Sequence, residues 1–228
     1  MKPLIVIPAR GGSKRLPNKN IKPLNGKPLI HYTIEVAREM FDDSIICVST
    51  DDENIITVVE ETGLKVPFIR PKDLSTDTAD SRSVLLHAHK FYSEKKNYNA
   101  NVIILLQVTS PIRNAKHVKE AIEMYSETLD MVVSVKETDS NPYFVLFEEN
   151  KLGYLEKSKS GDFTRSQDCP KVWEVNGAIY VINADSLLKK PINDFKMIKK
   201  YRMDSLESVD IDNLIDFKFV SLLLNNES

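Results

Sequence analysis

The segment PARGGSKRLPNKN, residues 8–20, gathers four basic side chains around a pair of glycines. Gly11 and Gly12 permit backbone conformations in which successive N–H groups point into one concavity, a geometry that binds anions. The basic residues are Arg10, Lys14, Arg15 and Lys19. Cations this close together repel one another unless an anion neutralises them. A glycine turn with solvated lysines is the alternative, because neither GxGxxG nor GxxxxGK[ST] is present. We interpret the segment as a polyphosphate site.

Two carboxylates alternate in the segment SVDIDN, residues 208–213. In an extended segment, Asp210 and Asp212 point to the same side. Mg²⁺ binds carboxylates together with phosphate oxygens, so the pair suits a magnesium clamp. Asp212 is alternatively the cap of a helix predicted from NLIDFKFVSLL. The spacing leaves both roles open.

Two further polar segments follow apolar runs. Gln107 ends the run VIILL, and a polar side chain at that position is costly unless it binds something. In STDTADS, the small residues from Thr78 to Ser81 open a predicted helix. They serve equally well as helix caps or as a close-fitting wall for a nucleotide base.

The elements that position these residues are predicted from hydrophobic periodicity. Short apolar runs such as LIVI, IICV and VIILL alternate with segments of helical period such as residues 28–41. This alternation predicts a mainly parallel sheet with helices on both faces. The basic segment, the segment STDD at 49–52 and the segment after VIILL all follow predicted strands. The carboxyl ends of strands in such sheets form the binding site, so we expect these segments to meet there.

Residues 136–175 interrupt this alternation. The sequence NPYFVLFEENKLGYLEK predicts a β-hairpin, and its residues 143–147 are apolar at every position. A projecting hairpin with two apolar faces needs a cover. We therefore favour a dimerisation arm over packing on the parent domain.

Composition limits the remaining function classes. The chain has 228 residues, which fits a single domain over 1–228, and a net charge of −2. Neither the charge balance nor any apolar run indicates binding to nucleic acid or insertion into a membrane. The N-terminus lacks the pattern of a secretion signal, so we expect a cytoplasmic protein. The two cysteines are too few for a zinc site or a disulfide framework, and no catalytic triad can be composed.

The basic segment resembles the signature of sugar-activating cytidylyltransferases, specifically the acylneuraminate branch and its bacterial nonulosonate relatives. The resemblance continues in RPKDLSTDTADS, LLQVTSPIR, VNGAIYV and SVDIDN, and spans nearly the whole chain. It implies a Rossmann-like, mainly parallel twisted sheet flanked by helices, with the hairpin as a dimerisation arm. It also implies transfer of CMP from CTP to the anomeric hydroxyl of a nonulosonic acid, with release of pyrophosphate, for surface glycan synthesis.

The resemblance further implies roles for individual residues. Catalysis is assigned to Arg10, Lys19 and Asp210, and Mg²⁺ or Mn²⁺ to Asp210 and Asp212. CTP binding is assigned to Ala9, Arg10, Gly11, Ser13, Lys19, Asn20, Arg70, Ala79 and Ser81. Sugar binding is assigned to Gln107, Ser110, Arg113, Arg165, Asn176 and Tyr180. Arg165 is expected to reach across a homodimer to the sugar carboxylate, for which a guanidinium is a natural bidentate partner. Arg113 is alternatively a cap of the strand end through a local salt bridge.

One residue departs from the family pattern. Glu174 stands where a sialic acid enzyme has a second arginine, which puts the identity of the sugar in question. N-acetylneuraminate is the first expectation, and legionaminate or a related nine-carbon acid is the next.

Three other functions compete with this interpretation. The deoxyoctulosonate (KDO) cytidylyltransferases are the nearest, because RLPNK resembles their loop, although Asn20 and STDTADS do not. A nucleotide-binding regulatory protein without catalysis is a second alternative. A hydride-transfer enzyme is a third, and it lacks the expected glycine fingerprint.

Overall fold

The computed structural model describes residues 1–76 and 78–226, which form an α/β fold. In chain order the strands are β1 (Pro3–Pro8), β2 (Pro23–Leu24), β3 (Lys27–Pro28), β4 (Ile46–Ser49), β5 (Val102–Leu106), β6 (Met131–Glu137), β7 (Phe147–Glu149), β8 (Leu155–Lys157), β9 (Trp173–Asn183) and β10 (Ile198–Arg202). The helices are α1 (Leu29–Arg38), α2 (Glu53–Glu60), α3 (Ser81–Lys96), α4 (Ala115–Glu123), α5 (Ala184–Lys189) and α6 (Leu214–Asn226). Short 3₁₀ helices cover Lys19–Ile21, Asp43–Ile45, Lys72–Leu74, Ser166–Asp168 and Ile192–Asp194. The single-domain prediction for 1–228 includes Asp77, Glu227 and Ser228, which lie outside the described residues.

The central sheet has six strands in the order β10, β6, β9, β5, β1, β4. Strand β9 is antiparallel to both of its neighbours, whereas the other neighbouring pairs are parallel. The prediction of a mainly parallel sheet flanked by helices is therefore confirmed. Because β1, β4 and β5 run in the same direction, the segments that follow them emerge at one edge of the sheet.

The helices cover both faces of this sheet, and each face has its own hydrophobic core. On one face, Ile5 and Ile7 of β1 belong to a cluster with residues of α1, α2, α4 and α6. On the other face, Leu4 and Val6 of β1 belong to a cluster with residues of α3 and α5. All four of these β1 side chains are fully buried, as the continuous apolar run predicts for a central strand.

The first helix matches its predicted apolar face. Ile30, Ile34 and Ala37 are fully buried in α1, which ends at Arg38, three residues before the predicted end at residue 41. The Arg38 guanidinium binds the carboxylate of Asp43, just beyond the helix, and the carbonyl of Thr62, which follows α2. These bonds fix the turn that leads into β4.

The predicted hairpin is present between β6 and β9. Strands β7 and β8 pair antiparallel, with Phe147 opposite Lys157 and Glu149 opposite Leu155. The paired region is shorter than predicted, because Tyr143 lies in a turn that packs against Phe163, with ring centroids 5.8 Å apart. Six apolar side chains of the hairpin are 43–80% exposed, namely Val145, Leu146, Phe147, Leu152, Tyr154 and Leu155. The parent domain leaves this surface open, and its role as a dimerisation arm stays a prediction.

Within residues 1–76 and 78–226, no helix combines the length and apolar character that crossing a membrane requires.

Candidate active site

A cleft runs along the edge of the sheet where β1 and β5 end. Three adjoining cavities form it, with volumes of about 410, 260 and 400 Å³. The first and second cavities share Pro8 and Arg10, and the second and third share Ser81, Leu105 and Gln107. The cleft is therefore continuous from the basic segment after β1 to the neighbourhood of α5.

The first cavity joins the basic segment to the carboxylate segment. Its lining includes Arg10, Ser13, Lys14, Arg15, Lys19, Asn20, Thr109 and Asp212. Lys19 donates from Nζ to the carbonyl of Ile211 at 2.7 Å, and the same Nζ lies 3.6 Å from Oδ1 of Asp212. Arg15 Nη1 lies 3.0 Å from Oδ2 of Asp212. The two segments that the sequence singled out thus meet, although nearly the whole chain separates them.

The first glycine of the pair, Gly11, does not have the predicted role, whereas the second has a backbone conformation that favours glycine. Gly12 has a φ of 68°, a left-handed conformation that favours glycine. Gly11 donates its N–H to Oδ1 of Asp51 at 3.1 Å, so this N–H does not point into an anion-binding concavity. A Cβ atom at Gly11 would lie 2.6 Å from Oδ2 of Asp52, so a larger residue there requires the Asp52 side chain to move. The expected nest of successive N–H groups is therefore wrong at Gly11, because the Asp51 carboxylate takes that donor.

The segment carrying Asp210 and Asp212 is a loop rather than a strand. Ile211 fixes it by donating its N–H to the carbonyl of Thr109 at 2.8 Å. Burial raises the pKa of Asp210, and the neighbouring charge of Asp212 adds to this shift. Oδ1 of Asp210 is buried without a hydrogen-bond partner among the described residues, while Asp212 is half exposed. A buried carboxylate oxygen without a donor, next to a second carboxylate, fits a divalent cation.

The helix that follows is capped by another residue. Oδ1 of Asn213 accepts the N–H groups of Ile215 and Asp216 at 2.7 and 3.2 Å, which makes Asn213 the cap of α6. The carboxylate of Asp216 in turn accepts the N–H groups of Asp212 and Asn213. The alternative that Asp212 caps the helix is therefore wrong, and its carboxylate faces the first cavity instead.

The second cavity collects four of the nine residues predicted to bind CTP. Arg10, Arg70, Ala79 and Ser81 line it. Arg70 is only 4% exposed and donates to Asp51 at 3.3 Å, and burial lowers the pKa of its guanidinium. Apolar walls come from Leu74, Val84, Leu85 and Leu105.

The start of α3 has both of the roles that the sequence left open, as a helix cap and as a wall of the second cavity. Asp80 accepts the N–H of Ser83 at 2.7 Å and caps the helix, while Ala79 and Ser81 face the second cavity.

Ala9 and Asn20 make hydrogen bonds that hold the main chain of the basic segment in place. Ala9 is fully buried and donates its N–H to Ser49, and Asn20 donates from Nδ2 to the carbonyl of Arg10 at 2.9 Å.

The third cavity contains two of the side chains predicted to contact the sugar. Gln107 and Tyr180 line it together with Arg82, and burial raises the pKa of Tyr180. The opposite wall is formed by Pro191, Ile192 and Asn193, which the sequence analysis did not single out. These residues follow α5, and their types indicate no particular chemistry. Their place in the site follows only from the path of the chain after α5.

Three other predicted sugar-binding residues lie beneath the cleft. Ser110 is fully buried, Arg113 is 1% exposed and Asn176 is 6% exposed. Arg113 donates from Nη1 to the carbonyls of Gln107 and Ala178, at 2.9 and 3.1 Å, and so fastens the end of β5 to β9. The alternative role of Arg113, as a cap of the strand end, is confirmed in part. Arg113 holds the strand end, but it does so through main-chain carbonyls rather than through a salt bridge. Burial lowers the pKa of this guanidinium to about 9.

Arg165 lies in the arm and away from the three cavities of its own chain. Its Nε and Nη2 bind the two oxygens of Asp168 at 2.8 and 2.9 Å. Glu174 lies 3.5 Å from Nζ of Lys136 on the neighbouring strand, which compensates its charge. The expected contact of Arg165 with a partner subunit's site stays a prediction.

Comparison with known proteins identifies the family. The model of the cytidylyltransferase family matches residues 4–227. This chain belongs to that family. Curated relatives of this cytidylyltransferase include an N-acylneuraminate cytidylyltransferase of Streptococcus agalactiae serotype III, 37% identical over 95% of this chain. The chain spans about half (52%) of the length of that relative.

Two further relatives match along their full length. A CMP-N,N'-diacetyllegionaminic acid synthase of Legionella pneumophila is 33% identical over 100% of this chain and 99% of its own. A pseudaminic acid cytidylyltransferase of Campylobacter jejuni is 34% identical with the same coverage.

Solved structures share the fold of this cytidylyltransferase. A CMP:2-keto-3-deoxy-manno-octonic acid synthetase complexed with CTP has a TM-score of 0.74 at 21% identity, with 100% of both chains covered. A 4-diphosphocytidyl-2C-methyl-D-erythritol synthase from Anaerococcus prevotii has a TM-score of 0.63 at 13% identity, with 98% of both chains covered.

Proposed function

We propose that this cytidylyltransferase transfers CMP from CTP to the anomeric hydroxyl of a nonulosonic acid and releases pyrophosphate. The observation that carries the proposal is the meeting of Lys19 with the Asp212 segment in the first cavity. Cations for a triphosphate then lie in one cavity with Asp212, one of the two carboxylates assigned to a metal ion. The second and third cavities continue from it without a break, which leaves room for the nucleoside and the acceptor.

The reaction is a displacement at the α-phosphorus of CTP, and it needs positioning and charge stabilisation more than covalent help. Arg10 and Lys19 would bind the triphosphate and stabilise the charge that develops on the departing pyrophosphate. Asp210 and Asp212 would hold Mg²⁺ or Mn²⁺, and such an ion neutralises phosphate charge when bound.

The other two cavities suit the two parts to be joined. The second, with Arg70, Ala79 and Ser81, would hold the cytosine and ribose. The third, with Gln107 and Tyr180, would hold the sugar acid and bring its hydroxyl toward the α-phosphate. Because the two cavities share Gln107, a sugar bound there lies next to the nucleotide.

The sugar is proposed to be a nine-carbon acid, with N-acetylneuraminate first and legionaminate next. The names of the relatives support this class, since they cover N-acylneuraminate, legionaminic acid and pseudaminic acid. The KDO alternative has support from a structure at 21% identity, which carries the fold alone. We further propose a cytoplasmic homodimer in which Arg165 of each subunit binds the sugar carboxylate in the partner's site.

The decisive experiment is Mg²⁺-dependent release of pyrophosphate from CTP. N-acetylneuraminate, legionaminate, pseudaminate, deoxynonulosonate and KDO are offered separately. Turnover with one or more of the four nine-carbon acids is the expected result. Turnover confined to KDO would replace the proposal with its runner-up. Tight CTP binding without pyrophosphate release from any of the five would favour the non-catalytic alternative.

A further inference from the structure

Asn176 occupies an irregular place inside the central sheet. It is 6% exposed and precedes Gly177, whose φ is 77°. The pairing of β6 with β9 changes register between Val133 and Val135, which leaves Ser134 of β6 beside Asn176. The irregularity makes room for a polar side chain where regular pairing would place an apolar one.

Both ends of the Asn176 amide are occupied by protein groups. Oδ1 accepts the hydroxyl of Ser134 at 2.6 Å and the N–H of Ala178 at 3.2 Å. Nδ2 donates to the hydroxyl of Ser208 at 2.8 Å and approaches the sulfur of Met203 at 3.5 Å. An amide has two donors and two acceptor sites, so these four contacts use its capacity. A sugar would have to displace them to bind Asn176.

Ser208 connects this amide to the carboxylate loop. It lies two residues before Asp210, and it is 4% exposed. Ile211 ties the other side of the loop to Thr109 through its N–H and to Lys19 through its carbonyl. Asn176 is therefore the attachment of the loop to the middle of the sheet, whereas Thr109 and Lys19 attach it at the cleft.

We propose that Asn176 is a positioning residue, which sets the place of Asp210 and Asp212 through its hydrogen bond to Ser208, and is not a sugar contact. The proposal rests on the proposed function, because it assigns Asp210 and Asp212 to the metal ion. Ligands for Mg²⁺ must be held within a fraction of an ångström, since this ion demands near-ideal octahedral geometry. A polar network buried in the sheet supplies such rigidity.

Two variants remove the link with little change of shape. Ser208→Ala deletes the hydroxyl that accepts from Asn176 and leaves the amide in place. Asn176→Leu has nearly the shape of asparagine and can form no hydrogen bond with Ser208, although it also loses the acceptor for Ser134 and Ala178. Gln107→Ala is the contrasting variant, because Gln107 lines the third cavity. Ser208→Ala is the milder change, so it carries the test if Asn176→Leu does not fold.

The primary readout is the affinity for Mn²⁺ in the presence of saturating CTP and without sugar, measured by electron paramagnetic resonance. We expect Ser208→Ala to weaken Mn²⁺ binding by about fivefold, which corresponds to one lost hydrogen bond, and Asn176→Leu to weaken it at least as much. We expect the KM for the sugar acid to stay within about twofold of the wild-type value. Gln107→Ala should show the reverse, with a raised sugar KM and unchanged Mn²⁺ affinity.

Unchanged Mn²⁺ affinity in both link variants would overturn the proposal, even with a lowered unfolding temperature, because the residues would then be merely structural. A raised sugar KM in Asn176→Leu with normal Mn²⁺ binding would restore the sugar contact. Failure of the proposed function looks different. Wild-type protein that turns over none of the sugars would refute the transferase, while the comparison of Mn²⁺ affinities would still decide the role of Asn176.

Discussion

Lys19 touches two parts of the site at once. Its Nζ donates to the carbonyl of Ile211 and lies near the carboxylate of Asp212, so it supports the loop while facing the first cavity. Its side chain is only 15% exposed, which strengthens its interaction with a bound phosphate. A residue with this dual role is harder to replace than the exposed Arg15 beside it.

We expect Lys19→Ala to lower turnover by about two to three orders of magnitude, because a charge that stabilises the departing pyrophosphate is lost. The measurement is pyrophosphate release at saturating CTP and sugar. Lys95→Ala, an exposed lysine at the end of α3, is the matched control and should turn over normally. A near-normal rate in Lys19→Ala would remove the basic segment from the mechanism.

Asp51 links the two sides of the proposed nucleotide site. One oxygen, Oδ1, accepts from the N–H of Gly11 and from Nη2 of Arg70. We expect Asp51→Ala to weaken CTP binding by about tenfold, because both groups lose their common anchor. Isothermal titration with CTP measures this, and Asp185→Ala, whose carboxylate is exposed on α5, serves as the control. Equal CTP affinity in Asp51→Ala and wild type would contradict this role.

The residue types in the sequence predicted which segments form the cleft, but they did not predict how deeply each polar side chain is buried. Lys19, Asp212, Gln107 and Tyr180 line the cavities as expected. Asn176 is a polar residue in an equally suggestive motif, yet it is buried beneath them. A polar side chain in a strand points either into a ligand site or into a buried network of hydrogen bonds. The residue type alone does not distinguish these two environments. The register change between β6 and β9 decides between them, and its one sign in the motif is Gly177, because a glycine inside a strand marks a bulge.

The buried carboxylate of Asp130 holds β10, an edge strand, against the rest of the sheet. Asp130 precedes β6 and accepts the N–H groups of Lys196 and Met197, which lead into β10. It also accepts the hydroxyl of Ser186 at 2.7 Å and the ammonium of Lys190 at 2.9 Å. The main-chain donor of Met197, followed by these side chains, holds the pKa of Asp130 well below its usual range.

A depressed carboxylate pKa makes the stability of the fold depend on acid pH. Asp130 contributes stability above its unfolded pKa of about 4, and the contribution is lost as the pH falls toward the folded value. We expect Asp130→Asn to lower the free energy of unfolding by about 2 kcal/mol at neutral pH. The difference from wild type should shrink below about pH 4. Urea unfolding at several pH values measures it, and a difference that is constant down to pH 2 would contradict the assignment.

The elements themselves were largely predictable. Strands β1, β4 and β5 read as continuous apolar runs because both of their faces are buried, and α1 shows a helical apolar face. The reversed direction of β9 was not predicted, because its run of buried residues looks the same in either direction. Connection through the arm, rather than residue type, determines that direction.

At the scale of the whole molecule, the arm is the part that the single chain leaves uncovered. Its exposed apolar residues favour a partner subunit, and so does Arg165, which is not in the lining of the three cavities described above. We expect a mass twice the 26.0 kDa of the chain in light scattering at micromolar concentration. Leu155→Lys in the arm should give monomers, whereas Ile215→Lys, which changes a residue 77% exposed on α6, should stay dimeric. A monomeric wild type would contradict the arm.

Exchange of subunits tests whether Arg165 acts in the partner's site. Lys19→Ala and Arg165→Ala should each be poorly active alone. After dissociation and random reassociation of equal amounts, half of the dimers are mixed, and each has one intact site, so about a quarter of wild-type activity should return. No recovery would mean that Arg165 serves its own chain or does not take part.

The contact between Lys19 and Ile211 has a consequence for protein synthesis. The cleft is assembled from residues near the beginning of the chain and from residues 210–212, so it is completed only when the ribosome has released that last segment. Domains fold from the N-terminal side during translation, and β1 and the basic segment can be in place long before the carboxylates arrive. A chain that stalls or terminates before residue 210 therefore lacks both carboxylates. Such an aborted product lacks the proposed metal ligands, and we expect it to release no pyrophosphate from CTP.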